Sequence, residues 1–177
     1  DSSAVNGDTR IWNNIIKNQA TAGTRVGIYL SYSAKVWNNI IYDWGNRGIY
    51  TRLYNNATSY VYNNTIYNSS IGFEAETPSS HIVVAKNNIA NGNTIDYSGT
   101  FNTSSSNNIS QDATSPNTTL RNKTVPFVDA TNKDFHLEFR DGTGNPAMNA
   151  GADLGTDFTT DIDNDTRSGT WDIGADD

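Results

Sequence analysis

Short apolar runs of Ile, Val, Trp and Tyr alternate along this chain with Asn, Gly, Ser and Thr, and the alternation repeats. Ile11-Trp12 leads into Asn13-Asn14 and on to Ile15-Ile16. Val36-Trp37 leads into Asn38-Asn39 and Ile40-Ile41, and Val61-Tyr62 into Asn63-Asn64 and Thr65-Ile66. Further pairs follow at Asn87-Asn88 and Asn107-Asn108, so the spacings are 25, 25, 24 and 20 residues. A second motif keeps phase with the first: Gly27-Ile28-Tyr29, Gly48-Ile49-Tyr50 and Gly72-Phe73-Glu74, spaced by 21 and 24. Two motifs sharing one period mark stacked structural units. β-branched and aromatic residues punctuated by Gly and Asn predict two or three short strands in each unit. No window shows the i, i+3, i+4, i+7 apolar face of a helix. Coils of this length stack about 4.8 Å apart as parallel sheets, and crossover chirality favours the right hand.

The expected fold is therefore all-β: a right-handed parallel β-helix of about five coils over residues 10–110, then a long connection and an irregular C-terminal closing region. Strand parity points Ile11, Val36 and Val61 inward and Trp12, Trp37 and Tyr62 outward. The Asn pairs then turn the chain, because Asn tolerates the left-handed backbone of a tight corner. A buried corner Asn can also bond its amide to the equivalent Asn one coil away, an asparagine ladder that satisfies groups burial would otherwise penalise.

The Val-x-Asn-Asn and Asn-Asn-x-Ile copies resemble the right-handed β-helix repeat proteins of the pectin-lyase-like group. The end of the chain sharpens the resemblance. Asp134-Phe135-His136-Leu137, Asn145-Pro146-Ala147-Met148-Asn149-Ala150-Gly151, Asp161-Ile162-Asp163, Arg167 and Asp172-Ile173-Gly174-Ala175 are similar to the closing segment of secreted bacterial and archaeal members. That resemblance implies a β-helix over nearly the whole chain and an extracellular or cell-surface location. It leaves function open, because the group includes lyases, hydrolases, epimerases, adhesins and phage spikes.

Composition refines the picture. Of 177 residues, 25 are Asn, 21 Thr and 16 Ser, while 35% are hydrophobic and 18% charged. A thin core renewed in every coil suits so polar a chain. The net charge of −7 is not evenly spread: residues 1–128 carry 9 Lys/Arg and 7 Asp/Glu, whereas residues 129–177 carry 3 and 12. The break near Val128 divides the chain into coils with a trailing loop (1–128) and an acidic closing region (129–177). No basic face is available for nucleic acid, and no apolar run approaches the ~18 residues of a membrane span, so neither partner is expected. The absence of Cys excludes disulfides, thiolate metal sites and Cys nucleophiles. Asp1–Asp8 offers no amphipathic helix to cover the first coil. Further coils before Asp1, or end-to-end stacking of another chain, are expected there.

Four groups of side chains are candidates for chemistry. On the outer face of the Gly-Ile strands, Tyr29, Tyr50 and Glu74 form one row and Ser31, Arg52 and Glu76 the next, with His81 nearby. Two carboxylates about 6.6 Å apart along a strand fit the separation used by glycosidases, and Arg52 beside them fits a lyase; a cross-strand Arg–Glu surface pair is the plain structural alternative. The aligned Trp12, Trp37 and Tyr62, with Tyr29, Tyr50 and the loop residue Trp44, offer either a platform for sugar rings or an ordinary stabilising stack. In the acidic region Asp161, Asp163, Asp165 and Asp172 imitate positions 1, 3, 5 and 12 of a Ca²⁺ loop, although Thr166 stands where Gly is wanted; a polar turn with Arg167 paired to an Asp is the alternative. Of eight N-glycosylation acceptor sequences, Asn68, Asn102, Asn117 and Asn122 are the best placed. Two His, His81 and His136, are too few for a His-rich metal site, and His136 reads as a strand residue.

The leading functional expectation is an extracellular, non-catalytic surface or matrix domain of a longer chain that binds or displays a polysaccharide or cell-surface glycan. It requires no cofactor, with Ca²⁺ as the one candidate. The alternatives are a polysaccharide lyase or glycoside hydrolase built on Glu74, Glu76 and Arg52, and a filament subunit.

Overall fold

The computed structural model describes residues 9–18, 25–52, 56–76, 82–139 and 144–177. Strands this short hold no core alone and gain one only by stacking. The first coil consists of β1 (Thr9–Trp12), β2 (Ile15–Lys17) and β3 (Val26–Leu30); the second of β4 (Ala34–Trp37), β5 (Ile40–Tyr42) and β6 (Arg47–Arg52). The third holds β7 (Thr58–Tyr62), β8 (Thr65–Tyr67) and β9 (Ile71–Glu76), the fourth β10 (Ile82–Lys86), β11 (Ile89–Asn91) and β12 (Ile95–Gly99). A bridge from Lys86 to Ser106 and strand β13 (Ile109–Ser110) begin a fifth. Among the described residues the solenoid thus has four complete coils rather than five. Its pairing is parallel in three sheets: A (β1-β4-β7-β10), B (β2-β5-β8-β11-β13) and C (β3-β6-β9-β12).

Residues one coil apart pair in register. Ile11, Val36, Val61 and Ala85 form an inner row of sheet A, with Trp12, Trp37, Tyr62 and Lys86 outside. Ile16, Ile41, Ile66 and Ala90 line the interior from sheet B, and Ile28, Ile49, Phe73 and Tyr97 from sheet C.

Each Asn pair divides its labour. The first member takes the left-handed backbone at the corner: Asn13, Asn38, Asn63, Asn87 and Asn107 have φ of 52°, 52°, 47°, 56° and 54°. The second member forms the ladder. The side-chain amides of Asn14, Asn39, Asn64 and Asn88 donate to Oδ1 of Asn39, Asn64, Asn88 and Asn108 at 2.9–3.0 Å. Asn108 passes the pattern to Asn117, whose Oδ1 accepts both its backbone and side-chain N–H. Asn117 therefore ends the ladder from outside the repeat.

Closure of the last coil falls to residues 111–117 of the connection. The buried Asp96 occupies the row held by Gly27, Gly48 and Gly72 in earlier coils, and its Oδ2 accepts the backbone N–H groups of Gln111 and Asp112. Thr114 Oγ1 accepts from the Tyr97 backbone.

The acidic C-terminal region runs along the side of the coils. Its antiparallel hairpin, β14 (Phe127–Asp129) and β15 (Asp134–Leu137), and the segment 145–177 cover the outer face of sheet B and its corner with sheet A. Phe135, Ala147, Ile173 and Ala175 share a buried cluster with Ile40, Tyr42, Ile89 and Ile109. The outward amides of the first-position Asn residues serve as docking points. Asn13 donates to Asn164 Oδ1, Asn38 to the Thr160 carbonyl, Asn63 to the carbonyls of Asp172 and Gly174, Asn87 to that of Ala152, and Asn107 to that of Ala150.

Candidate functional site

The outer face of sheet C gathers the aromatic and charged residues expected there, and one that was not. Tyr29, 51% exposed, stacks on Tyr50 with ring centroids 5.3 Å apart. Arg52 and Glu76 are register partners and their side chains pair at 3.4 Å. Glu76 also accepts a hydrogen bond from the Tyr50 hydroxyl. Burial, and after it this bond to Glu76, pushes the Tyr50 phenol up to about 12. Glu74 pairs with Arg47, whose guanidinium lies over the Tyr50 ring at 4.5 Å.

Arg47 escapes a strict period-two reading, which sets it on the inner side with Ile49. The regular pairing skips Gly48, and the buried positions run Gly48, Ile49, Thr51 between the outward Arg47, Tyr50 and Arg52. Gly48 faces the interior so closely that an added Cβ would lie 2.4 Å from Ile66 Cγ2 and 2.8 Å from the Gly72 carbonyl oxygen. At this position only glycine fits, and the local break in alternation sends Arg47 outward. The lone Gly within each strand was the available signal. His81 lies outside the described residues.

The aromatic row on sheet A is only partly accessible. Trp12 stacks flat on Trp37, 5.1 Å apart with 2° between planes, and is 49% exposed. Trp37 in turn meets Phe158, and Phe158 meets Trp171. Tyr62 is buried in a cluster with Val84, Leu154 and Trp171, and burial raises its phenol far above the ordinary value. Trp44 is half-buried against the core and donates its Nε1–H to the Ile16 carbonyl.

The four aspartates proposed for calcium do not surround one point. Asp161 is buried, and its Oδ1 accepts the backbone N–H groups of Asp163 and Asp165. Asp172 is buried 23 positions away from Asn149, whose N–H it accepts at 2.6 Å. Burial raises both carboxyls. Asp165 is exposed, and Asp163 faces His136. Among the described residues, the one group of three such side chains whose ligand atoms converge is His136, Asp163 and Asp176. A hydrogen bond to Asp134 is the main influence that raises the His136 imidazole.

The motif residues of the closing segment act in docking. Arg167 is buried and donates to the Asn38 side chain and to the carbonyls of Gly174 and Ala175. Gly174, at φ 111°, brings the backbone against sheet B, where a Cβ would lie 2.6 Å from Ile89 Cδ1. Of the glycosylation candidates, Asn68 and Asn122 are exposed. Asn102 accepts from Ser104, and the Asn117 amide donates to the Ser105 carbonyl while its oxygen ends the ladder.

Comparison of the chain with protein-family models, with curated proteins and with solved structures returns no match.

Proposed function

We propose that this chain is an extracellular β-helix of the pectin-lyase-like kind that binds a polysaccharide or surface glycan on sheet C without cleaving it. The observation that supports binding is the stacked Tyr29–Tyr50 pair bordered by the Arg47–Glu74 and Arg52–Glu76 ion pairs. Tyrosine rings offer apolar faces to the C–H groups of a pyranose, and flanking charged groups offer hydrogen bonds to its hydroxyls. The four charges cancel, which suits an uncharged sugar chain. Parallel strands about 4.8 Å apart extend this surface about 14 Å from β3 to β12, long enough for an oligosaccharide rather than a single ring.

The same pairing favours binding over catalysis. A general acid and base must exchange protons with the substrate, whereas Glu74 and Glu76 direct oxygens to arginines and to Tyr50. Affinity electrophoresis and calorimetry against a panel of neutral and acidic polysaccharides test the reading. Wild-type protein is expected to bind at least one neutral polymer and to release neither reducing ends nor unsaturated products. Tyr29→Ala is expected to weaken binding about tenfold, the loss of roughly 1.4 kcal/mol of stacking, while circular dichroism shows the variant still folded. Product release abolished by Glu74→Gln would establish the enzymatic alternative instead.

A further inference from the structure

Three segments remote in sequence meet beside the outer face of sheet B. His136 comes from β15, Asp163 from the turn after Asp161, and Asp176 from the last residues. One ligand-type atom from each lies within 4.8 Å of the other two. His136 Nε2 is 3.1 Å from Asp163 Oδ2, and its Nδ1 is bonded to Asp134 Oδ1. The Leu137 backbone N–H orients Asp176 by donating to its Oδ2 at 2.8 Å. These side chains line a cavity of about 300 Å³ whose other walls include Ile15, Ile40 and Ile162. Lys133 borders the same cavity but directs its ammonium to Asp43 at 3.0 Å.

We propose that His136 Nε2 and the carboxylates of Asp163 and Asp176 form a binding site for a divalent transition cation of the zinc and cobalt type, with further coordination positions open to the cavity. One imidazole with two carboxylates is a donor set such ions accept, whereas Ca²⁺ takes six to eight oxygens. Bonds of about 2.0–2.1 Å in a tetrahedral shell set neighbouring donor atoms about 3.3 Å apart, close to the His136–Asp163 separation. Asp176 offers a carboxylate oxygen within 4.8 Å of the ligand atoms of both. Asp134 supplies what a metal-bound imidazole usually has, a carboxylate on its other nitrogen that fixes the ring and presents Nε2 outward. The site shares only Asp163 with the Asp161, Asp163, Asp165 and Asp172 series. Its histidine comes from a different segment, which is why no sequence spacing displays it. An ion here would tie the hairpin, the turn and the terminal residues together.

The test uses the full 177-residue chain, stripped with chelator and titrated with Co²⁺ by calorimetry and visible absorption. One equivalent is expected to bind and to give the intense absorption of four- or five-coordinate Co²⁺, with Zn²⁺ displacing it and Ca²⁺ in equal amount not. His136→Ala is expected to lose at least about tenfold in affinity, and Asp134→Asn about 10- to 100-fold although it removes no ligand. His81→Ala is expected to bind as wild type. Circular dichroism in chelator establishes that each variant is folded, and the exposed Asp163→Asn serves as a second ligand variant if His136→Ala is not. Absence of stoichiometric binding by the wild type overturns the proposal. Wild-type affinity in the folded ligand variants, or displacement by Ca²⁺, overturns it equally.

Discussion

Asn64 shows how one side chain can join three coils. Its amide donates to the Val36 and Tyr62 carbonyls and to Asn88 Oδ1, while its own Oδ1 accepts from Asn39. All of this happens at zero exposure, where an orphaned polar group costs about 1–3 kcal/mol. Asn64→Ala orphans several at once and is expected to lower stability by about 3–5 kcal/mol in urea unfolding. Asn14→Ala, at the exposed end of the ladder, is expected to cost under about 1.5 kcal/mol. Tyr50 supplies a prediction in alkali. Its phenol stays protonated in the folded chain up to about 12, against 10.0 ordinarily. Its contribution to stability is therefore complete below pH 10 and is lost as pH rises from 10 toward 12. Tyr50→Phe is expected to remove one late-titrating phenol from the ultraviolet absorbance curve. Glu76→Gln is expected to bring that phenol earlier without restoring the ordinary value, because burial, the larger cause, remains.

The closing segment is an element that depends on polar and apolar contacts together. Ile173 presses into the sheet B cluster while Arg167 gathers the carbonyls of the two residues after it. Burial pulls the Arg167 guanidinium below its ordinary value, and the surrounding aspartates, Asp177 foremost, oppose that only in part. Removing the guanidinium takes the donor from the Asn38 oxygen and one of two donors from each of the Gly174 and Ala175 carbonyls, which Asn63 and the Ile162 backbone also serve. Arg167→Met is expected to destabilise by about 2–4 kcal/mol, and to loosen this segment before the coils. Chymotrypsin cleavage near Phe158 and Trp171 should then quicken well below the global unfolding transition. Equal cleavage rates in variant and wild type would place the segment's anchorage elsewhere.

Coils and closing region share a buried apolar layer on the outer face of sheet B although their charge differs so sharply. Sheet B is apolar on both sides: Ile41 and Ile66 face inward, while Ile40, Ile89 and Ile109 face the closing region. Parallel strands buried on both faces read as continuous apolar runs, and the doublets Ile40-Ile41 and Ile89-Ala90 are of that kind. A chain ending at Val128 would uncover Tyr42, Tyr67, Ile89 and Tyr62. Such an exposed apolar face promotes association. That shortened chain is expected to bind a hydrophobic dye and to scatter light at concentrations where the complete chain stays clear; a dye-negative, clear solution would show that the coils stand alone.

The coils are legible residue by residue because each touches only its neighbours, at an almost constant offset. The Ile11, Val36, Val61 row and the Asn39, Asn64, Asn88 ladder are therefore written as a period, and register follows from it. The outward Tyr29 and Tyr50 and the Arg52–Glu76 pair were readable by the same parity. Other features carry no period. Which Asn of a pair faces inward is settled by the corner backbone, and Arg47 reaches the surface through the break at Gly48. The acidic segment lies along the coils because sheet B offers apolar surface there, through contacts such as Asn63 to Asp172 and Lys35 to Asp157, more than one hundred positions apart. Contacts that distant leave no repeat in the chain, and only folding brings His136, Asp163 and Asp176 to one place.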